Sequence, residues 1–304
     1  MTSPNANTIH FLNILNLDSN IIWPAYLGQA FAVVPFIGFE NATGSFLSNE
    51  TMNSLASMSP YSRGTPLNKS PVNTSIVTET FSSFGDIVTL PITDIITSNT
   101  SCGTNQLCEQ AKSIVVRIYR EIMNQFFNGN GSGTNLNGLG IRADTTIDVG
   151  GGNLQLSHLE QLRYSVKPAT TSGLGVGGNV WFSNEEGFRE FITLLGRKAV
   201  QLKWQYVESL GVRLVEYLGA LWCIDENVLT TDNLLTIYFV NLDYLRILYA
   251  TSKEYQTNEK GIMSIPVPMQ ASIAEIGLLM LAIVAFQNDP FAIARLSNIK
   301  KTVP

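Results

Sequence analysis

The most regular pattern of apolar and polar positions in the chain lies between residues 106 and 128. Apolar side chains recur there every three or four positions, at Leu107, Ala111, Ile114, Val115, Ile118, Ile122 and Phe126. This spacing predicts an amphipathic helix, the spine helix, of roughly 34 Å at about 1.5 Å per residue. Arg117 and Glu121 lie one turn apart on its polar face and are expected to pair. Gly129 is expected to end it.

Two shorter helices are indicated further along the chain. Ser157 and Glu160 have the spacing of a capping box, which predicts a helix that begins at Ser157. Residues 179–183 read as a short strand. Asn184 then opens a third helix with two acids in its first turn, and Gly196 is expected to close it. The expected buried face of this helix consists of Phe188, Phe191, Ile192 and Leu195.

After residue 211 the pattern becomes that of β-strands. Short runs rich in branched and aromatic residues predict strands at residues 212–215, 221–224, 234–240, 245–250 and, in the most apolar stretch, 275–286. Residues 289–295 are predicted to form a short closing turn or helix. Helices and strands follow one another without a regular β-α-β repeat, so the predicted fold class is α+β.

The first 80 residues carry apolar side chains without a period that would bury them in a core of their own. Residues 1–37 are interpreted as an extended arm, because polar residues interrupt short apolar runs and prolines break any long helix. Residues 38–80 leave two alternatives, a disordered insertion or a long two-stranded arm. Strand-like residues near Phe46 and at 74–80, on either side of a segment rich in proline and glycine, favour the two-stranded arm.

Composition adds an argument for assembly. Charged residues make up 14% of the 304 residues, against roughly 25% in average soluble chains. A subunit covered by neighbours needs fewer surface charges than a monomer alone in water. The net charge of −5 implies no general attraction to nucleic acid or anionic lipid. We expect a soluble protein, because we see no signal peptide and the longest apolar stretch is about half of the roughly 20 residues that span a bilayer.

Residue types that bind metals or act as nucleophiles are few and scattered. The histidines, His10 and His158, and the cysteines, Cys102, Cys108 and Cys223, have no metal-ligand spacing. His158 is expected to be a solvated surface residue. An odd cysteine count without a secretion signal argues against a disulfide framework.

Two further patterns have simpler explanations than a binding site. Residues 173–178 contain the letters G-x-G-x-x-G, but no strand precedes them and a strand follows, so they are interpreted as a mobile loop. Glu185 and Glu186 suit a helix N-terminus, and Asp225 and Glu226 are expected in an exposed turn. We therefore predict a protein that is not an enzyme and has no cofactor or metal site.

An ordered series of short motifs runs from about residue 80 to the C-terminus. In order, the motifs are Phe-Phe-Asn-Gly at 126–129, Asn-Gly-Leu at 137–139, Leu-Ser-His-Leu-Glu-Gln-Leu at 156–162, Val-Trp-Phe-Ser-Asn at 180–184, Leu-Gly-Val-Arg-Leu-Val at 210–215 and Asn-Asp-Pro-Phe-Ala at 288–292. In order and spacing this series resembles one known family, the major capsid proteins of tailed bacteriophages. Arg213 stands where that family usually has a proline.

The resemblance implies the Hong Kong 97 fold. In that fold the N-terminal 80 residues, which have no core of their own, are an arm and a hairpin that pack on adjacent subunits. The resemblance divides the chain into an N-terminal arm at 1–37, an E-loop hairpin at 38–80, a peripheral domain at 81–150 with the spine helix, an axial domain at 151–270 and a return to the peripheral domain at 271–304.

The function implied by the resemblance is that of a shell subunit in the head of a tailed phage. Copies would form pentamers and hexamers around double-stranded DNA contacted without sequence preference, with portal, scaffolding and cement proteins as further partners. The location would be the virion, after assembly in the host cytoplasm. Two alternatives remain open: an encapsulin-type compartment of the same fold, and a soluble binding or enzymatic domain with a mobile N-terminal region.

Overall fold

The computed structural model of the protein describes residues 38–42, 46–54, 73–91, 106–167, 178–198, 201–207, 212–230, 232–251, 261–267, 275–289 and 291–302. The predicted arm at 1–37, the tip of the predicted hairpin at 55–72 and the glycine loop up to residue 177 lie outside these ranges.

One sheet is organised around a single long strand. The strands of this first sheet are β1 (Gly38–Ala42), β4 (Ser82–Pro91), β11 (Leu245–Ala250), β12 (Ile262–Val267) and β13 (Glu275–Asn288). The long strand β13, predicted as a buried strand, pairs antiparallel with β4, β11 and β12, and β11 also pairs in parallel with β1.

A second sheet contains seven strands within the described residues. Its strands are β5 (Thr145–Asp148), β6 (Asn179–Ser183), β7 (Lys203–Val207), β8 (Val212–Tyr217), β9 (Ala220–Ile224), β10 (Leu234–Asn241) and β14 (Ile293–Lys300). They lie in the order β5-β14-β10-β6-β9-β8-β7. The predicted strands at 179–183, 212–215, 221–224 and 234–240 all lie in this sheet, and those predictions are confirmed.

The N-terminal hairpin forms a sheet of its own. β2 (Phe46–Ser54) and β3 (Asn73–Thr80) pair antiparallel, and within the described residues they pair with no third strand. The two-stranded alternative is therefore confirmed for these residues. β1 does not continue this hairpin but joins the first sheet.

The spine helix is confirmed with its predicted bounds, α1 (Gln106–Asn128). Its buried face packs on β4 and β13 of the first sheet. Ile122 and Phe126 are fully buried there, and burial of each such side chain stabilises the fold by about 1.5–3 kcal/mol. The predicted pair with Glu121 is wrong: Arg117 instead forms an ion pair with Asp86 of β4 at 2.8 Å.

A second core lies on the other sheet, under two helices, α3 (Leu156–Ser165) and α4 (Glu185–Arg197). Its centre is a stack of three buried aromatic rings. The ring centroid of Phe191 in α4 lies 3.9 Å from that of Trp222, and the Trp222 centroid lies 5.4 Å from that of Trp181. The rings of both pairs are nearly parallel. These rings bind α4 to β6 and β9.

The helix ends are predicted with mixed success. Asn184 caps α4 as expected, since its Oδ1 accepts a hydrogen bond from the Gly187 amide at 2.9 Å. The helix runs one residue past Gly196, to Arg197. The capping box is wrong: α3 begins one residue before Ser157, and Gln155 caps it without a side-chain hydrogen bond. In the first turn, the His158 amide instead donates to Gln155 O at 3.2 Å, which satisfies one of the free amides at this helix end.

The closing turn or helix expected at 289–295 is confirmed only as a short turn at residues 291–292 and is wrong beyond it, because β14 occupies residues from Ile293 onward. This strand lies between β10 and β5, and most of its residues are buried. A strand with both faces buried does not alternate, so its sequence lacks the period that identifies strands. β5, β7 and β12 were missed as well.

Sheet membership does not coincide everywhere with the predicted domain boundaries. β5 and β14, from the peripheral segments at 81–150 and 271–304, lie in the second sheet. β11 and β12, from the axial segment at 151–270, lie in the first. None of the helices within the described ranges is both long enough and apolar enough to cross a membrane.

Candidate functional site

An open groove of about 770 Å³ runs along the spine helix, β4 and the turn after β9. Its charged lining is of mixed sign, with the exposed Arg117–Asp86 pair at one point. Such an exposed pair contributes at most about 1 kcal/mol to folding. The polar side chains that line the groove are Ser83, Asp86, Arg117, Arg120, Glu121, Asn124, Glu226 and Asn227.

The glycine turn after the spine helix brings two backbone segments into close contact. The Gly129 amide donates to Gln125 O at 2.8 Å, and the Gly138 amide donates to Gly129 O at 2.9 Å. A Cβ on Gly138 would lie 2.6 Å from Gly129 N and 2.7 Å from Gln125 O. The glycines of this motif are therefore required by close approach of the backbone, and α2 (Leu139–Arg142) follows at once.

The turn after β9 is tied to the end of the spine helix. Asn128 Nδ2 donates to Asn227 O at 2.7 Å, and the Asn227 amide and Nδ2 donate to Asp225 Oδ1 at 2.9 and 2.8 Å. The prediction of an exposed acid pair is wrong for Asp225, which is fully buried, while Glu226 is exposed. Burial raises the pKa of Asp225 to about 7, against the lowering effect of the two hydrogen bonds from Asn227.

The other predicted chemical groups do not converge on one place. Cys223 is buried, and desolvation raises the pKa of its thiol, which keeps it protonated and unreactive. His158 is half-buried, and its buried Nδ1 has no hydrogen-bond partner in the described part of the chain, so the expectation of a solvated surface residue is wrong. Cys102 and His10 lie outside the described residues. Within those residues no group of three or more His, Cys, Asp and Glu side chains lies close enough to hold a metal ion.

The C-terminal residues bind α4 through hydrogen bonds and an ion pair. Thr302 Oγ1 donates to Glu190 Oε2 at 2.6 Å, the Thr302 amide donates to Glu190 Oε1, and Lys301 forms an ion pair with Glu186. Glu190 is buried, so these donors are needed to offset the loss of its hydration. Sequence reasoning placed Glu185 and Glu186 correctly at the helix N-terminus but had no signal for the contact with the C-terminus.

Large apolar side chains that remain in water are the features sequence reasoning missed most clearly. Trp204 and Tyr206 lie on β7, an edge strand of the second sheet. Phe291 lies in the loop between β13 and β14. An edge strand and an exposed ring both offer surface to another chain. The exposed large apolar residues of the described ranges are Ile87, Ile141, Tyr164, Trp204, Tyr206, Leu229 and Phe291.

Comparison of sequences alone identifies no relative: no protein-family model and no curated protein matches the chain. Comparison of structures does. The encapsulin of the holo-SrpI complex from Synechococcus elongatus PCC 7942 is similar with a TM-score of 0.71 and 12% identity, over 91% of this chain and 89% of that one.

Two capsid structures are similar over comparable lengths. The Cyanophage A-1(L) capsid asymmetric unit has a TM-score of 0.67 at 12% identity, over 93% of this chain and 97% of that one. The capsid of the native GTA particle has a TM-score of 0.64 at 10% identity, over 90% and 91%. The chain has the Hong Kong 97-type capsid fold, and the predicted α+β class is confirmed.

Proposed function

We propose that this chain is the major capsid protein of a tailed double-stranded DNA phage and forms the pentamers and hexamers of an icosahedral head. The observation that carries the proposal is the extent of the fold similarity to the cyanophage capsid chain, 93% of this chain and 97% of that one. A shell fold thus accounts for nearly all of this chain.

The hairpin of β2 and β3 supports self-assembly. It pairs only with itself within the described residues, so neither of its outer edges has a partner strand there. An isolated two-stranded sheet is marginally stable in water and gains stability when another surface covers it. In the proposed head that surface belongs to a neighbouring subunit, and the arm at 1–37 extends over another.

Each segment of the chain would have a domain role in the shell, and the shell would bind further proteins. The arm at 1–37, E-loop at 38–80, peripheral domain at 81–150 and 271–304, and axial domain at 151–270 would have their usual places in the shell. Portal, scaffolding and cement proteins would bind the assembled head, and packaged DNA would be contacted without sequence preference. The role is structural, without catalysis or cofactor, in the virion after assembly in the host cytoplasm.

An encapsulin-type compartment is the second candidate, and one observation favours it: the similarity to the Synechococcus encapsulin, with a TM-score of 0.71. Both candidates require a closed shell of identical subunits. They differ in content, since one encloses DNA and the other a protein cargo. We place the phage head first because capsid chains from several particles share the fold.

The assembly itself is tested with the full chain and a shortened hairpin. Phe46 and Thr80 face each other in the hairpin, so a variant with Asn-Gly in place of residues 47–79 closes the chain at an existing cross-strand pair. We expect closed particles from the full chain by negative-stain electron microscopy, and a folded shortened variant that forms none. A full chain that stays monomeric at high concentration would contradict the proposal, as would a shortened variant that assembles normally.

The content of the shell separates the two candidates. Particles isolated from the cells that produce the protein naturally are treated with nuclease and then opened. Protected double-stranded DNA supports the phage head, whereas a protein cargo without DNA supports the compartment. If limited proteolysis of residues 1–80 left a specific binding or catalytic activity intact and no particles formed at all, the chain would instead be a soluble domain.

A further inference from the structure

Phe291 combines two features that each cost stability. Its φ is +62°, in the left-handed region where bulky residues are outliers. Its side chain is 56% exposed, so the ring gains little from burial in its own subunit. Strained residues persist only where the surrounding structure holds them in place.

The loop around Phe291 is held by three separate segments. The Phe291 amide donates to Asp144 Oδ2 at 2.7 Å, and Phe291 O accepts from the Lys167 amide at 2.9 Å. The next residue, Ala292, is buried, and its carbonyl accepts from the Asn241 amide at 2.8 Å. The backbone is therefore fixed while the ring points into solvent.

Both flanking segments present a further exposed apolar side chain. Ile141, three residues before Asp144, is 56% exposed, and Tyr164, three residues before Lys167, is 81% exposed. Thus three of the large apolar side chains left in water belong to the loop or to the segments that hold it. We call Ile141, Tyr164 and Phe291 the Phe291 patch.

We propose that a second copy of this chain covers the Phe291 patch and that Phe291 is an anchor of this contact between subunits. The inference rests on the proposed shell function but names a contact that the function does not specify. The charges nearby are of both signs, Arg163 and Lys167 on one segment and Asp144 and Asp289 on the others. A copy of the same chain brings both signs to match them, whereas a uniformly acidic or basic partner, such as DNA, would meet like charges.

In the test, removing the side chain of Phe291 should change subunit stability and particle yield in opposite directions. Phe291→Gly relieves the strained backbone, so we expect unassembled subunits to melt about 2–4 °C higher than the original chain. The same variant lacks the anchor, so we expect the particle yield by electron microscopy and size-exclusion chromatography to fall at least about tenfold. Phe291→Asn, which also tolerates positive φ, should behave alike, and Phe291→Tyr should keep most of the yield.

The matched control is Asp232→Gly, at another exposed residue with positive φ, +53°. It should raise the melting temperature by less, because aspartate tolerates positive φ better than phenylalanine does, and leave the particle yield unchanged. A normal particle yield from Phe291→Gly would overturn the proposal, and so would a lower melting temperature, which would show that the ring stabilises its own subunit. Failure of the original chain to form particles would instead contradict the proposed function.

Discussion

Asp225 places a carboxyl group in a fully buried position at the end of β9. Its Oδ1 accepts two hydrogen bonds from Asn227, but its Oδ2 has no hydrogen-bond partner among the residues that the structure describes. Burial is the main cause of the raised pKa, and the nearby Glu226 carboxylate adds to it. Because an ionised carboxylate in this position lacks hydration on one side, the folded state holds the proton more tightly than the unfolded chain does.

The stability that Asp225 contributes should therefore depend on pH. Its pKa is about 7 in the folded state, against an ordinary value of 3.8 for an aspartate in the unfolded chain. The contribution is fully present below pH 4 and is lost as the pH rises towards 7. We expect Asp225→Asn to match the original chain at pH 4 and to exceed its free energy of unfolding by about 1–3 kcal/mol at pH 8.

The measurement is denaturant unfolding of unassembled subunits at the two pH values. Glu226→Gln, at the exposed neighbour, serves as the control and should keep most of the pH dependence of the original chain. An Asp225→Asn variant that is less stable than the original at pH 8 would show that the carboxylate is satisfied by groups other than those described.

At the scale of elements, the turn after the spine helix shows why a motif of small residues accompanies a long helix. The helix carries Gln125 and Gly129 into contact with the backbone of Gly138, and the bridge between Asn130 and Asn137 closes the turn. The deeply buried Phe126 and Phe127 lie directly before it. The turn therefore sets the direction in which the chain leaves the buried C-terminal end of the spine helix.

Two glycine substitutions test this requirement. A Cβ at position 138 meets backbone atoms that cannot move aside, so Gly138→Ala should lower the free energy of unfolding by about 2–3 kcal/mol. A Cβ at position 196, near the end of α4, meets nothing within 4 Å. Gly196→Ala should raise stability by about 0.5–1 kcal/mol, because alanine favours the helix. Both are measured by denaturant unfolding, and equal effects would contradict the role given to the turn.

At the scale of the whole molecule, the two sheets connect segments that are far apart in the chain. β1 pairs with β11, and β5 pairs with β14, over separations of about 150 residues or more. Among the residues that the structure describes, the hairpin of β2 and β3 shares no sheet with either. In the proposed shell, the stability of the hairpin would therefore depend on the neighbouring subunits that cover it.

Assembly should for this reason raise thermal stability. Binding that favours the folded state raises the melting temperature by mass action, so closed particles should melt above unassembled subunits, and dilution into subunits should remove the difference. Differential scanning calorimetry at two protein concentrations measures it. The variant with residues 47–79 shortened should show one transition that does not depend on concentration; a concentration-independent transition in the original chain would contradict this expectation.

The sequence by itself determined the features that depend on local periodicity. The spine helix, the strand and cap that precede α4, and the buried β13 follow from spacing, capping and apolar runs, which act over a few neighbouring residues. The ordered motifs also led to the capsid fold that the structure establishes.

Only the tertiary structure decided which segments meet. The burial of Asp225, the pairing of Arg117 with Asp86 and the strand at β14 all depend on partners distant in the chain. The Phe291 patch depends on them as well, since Asp144 and Lys167 hold a backbone conformation that no local pattern favours. Long-range packing overrides local preference at these positions, because burial and hydrogen bonding with distant segments outweigh the small free energies of local propensity.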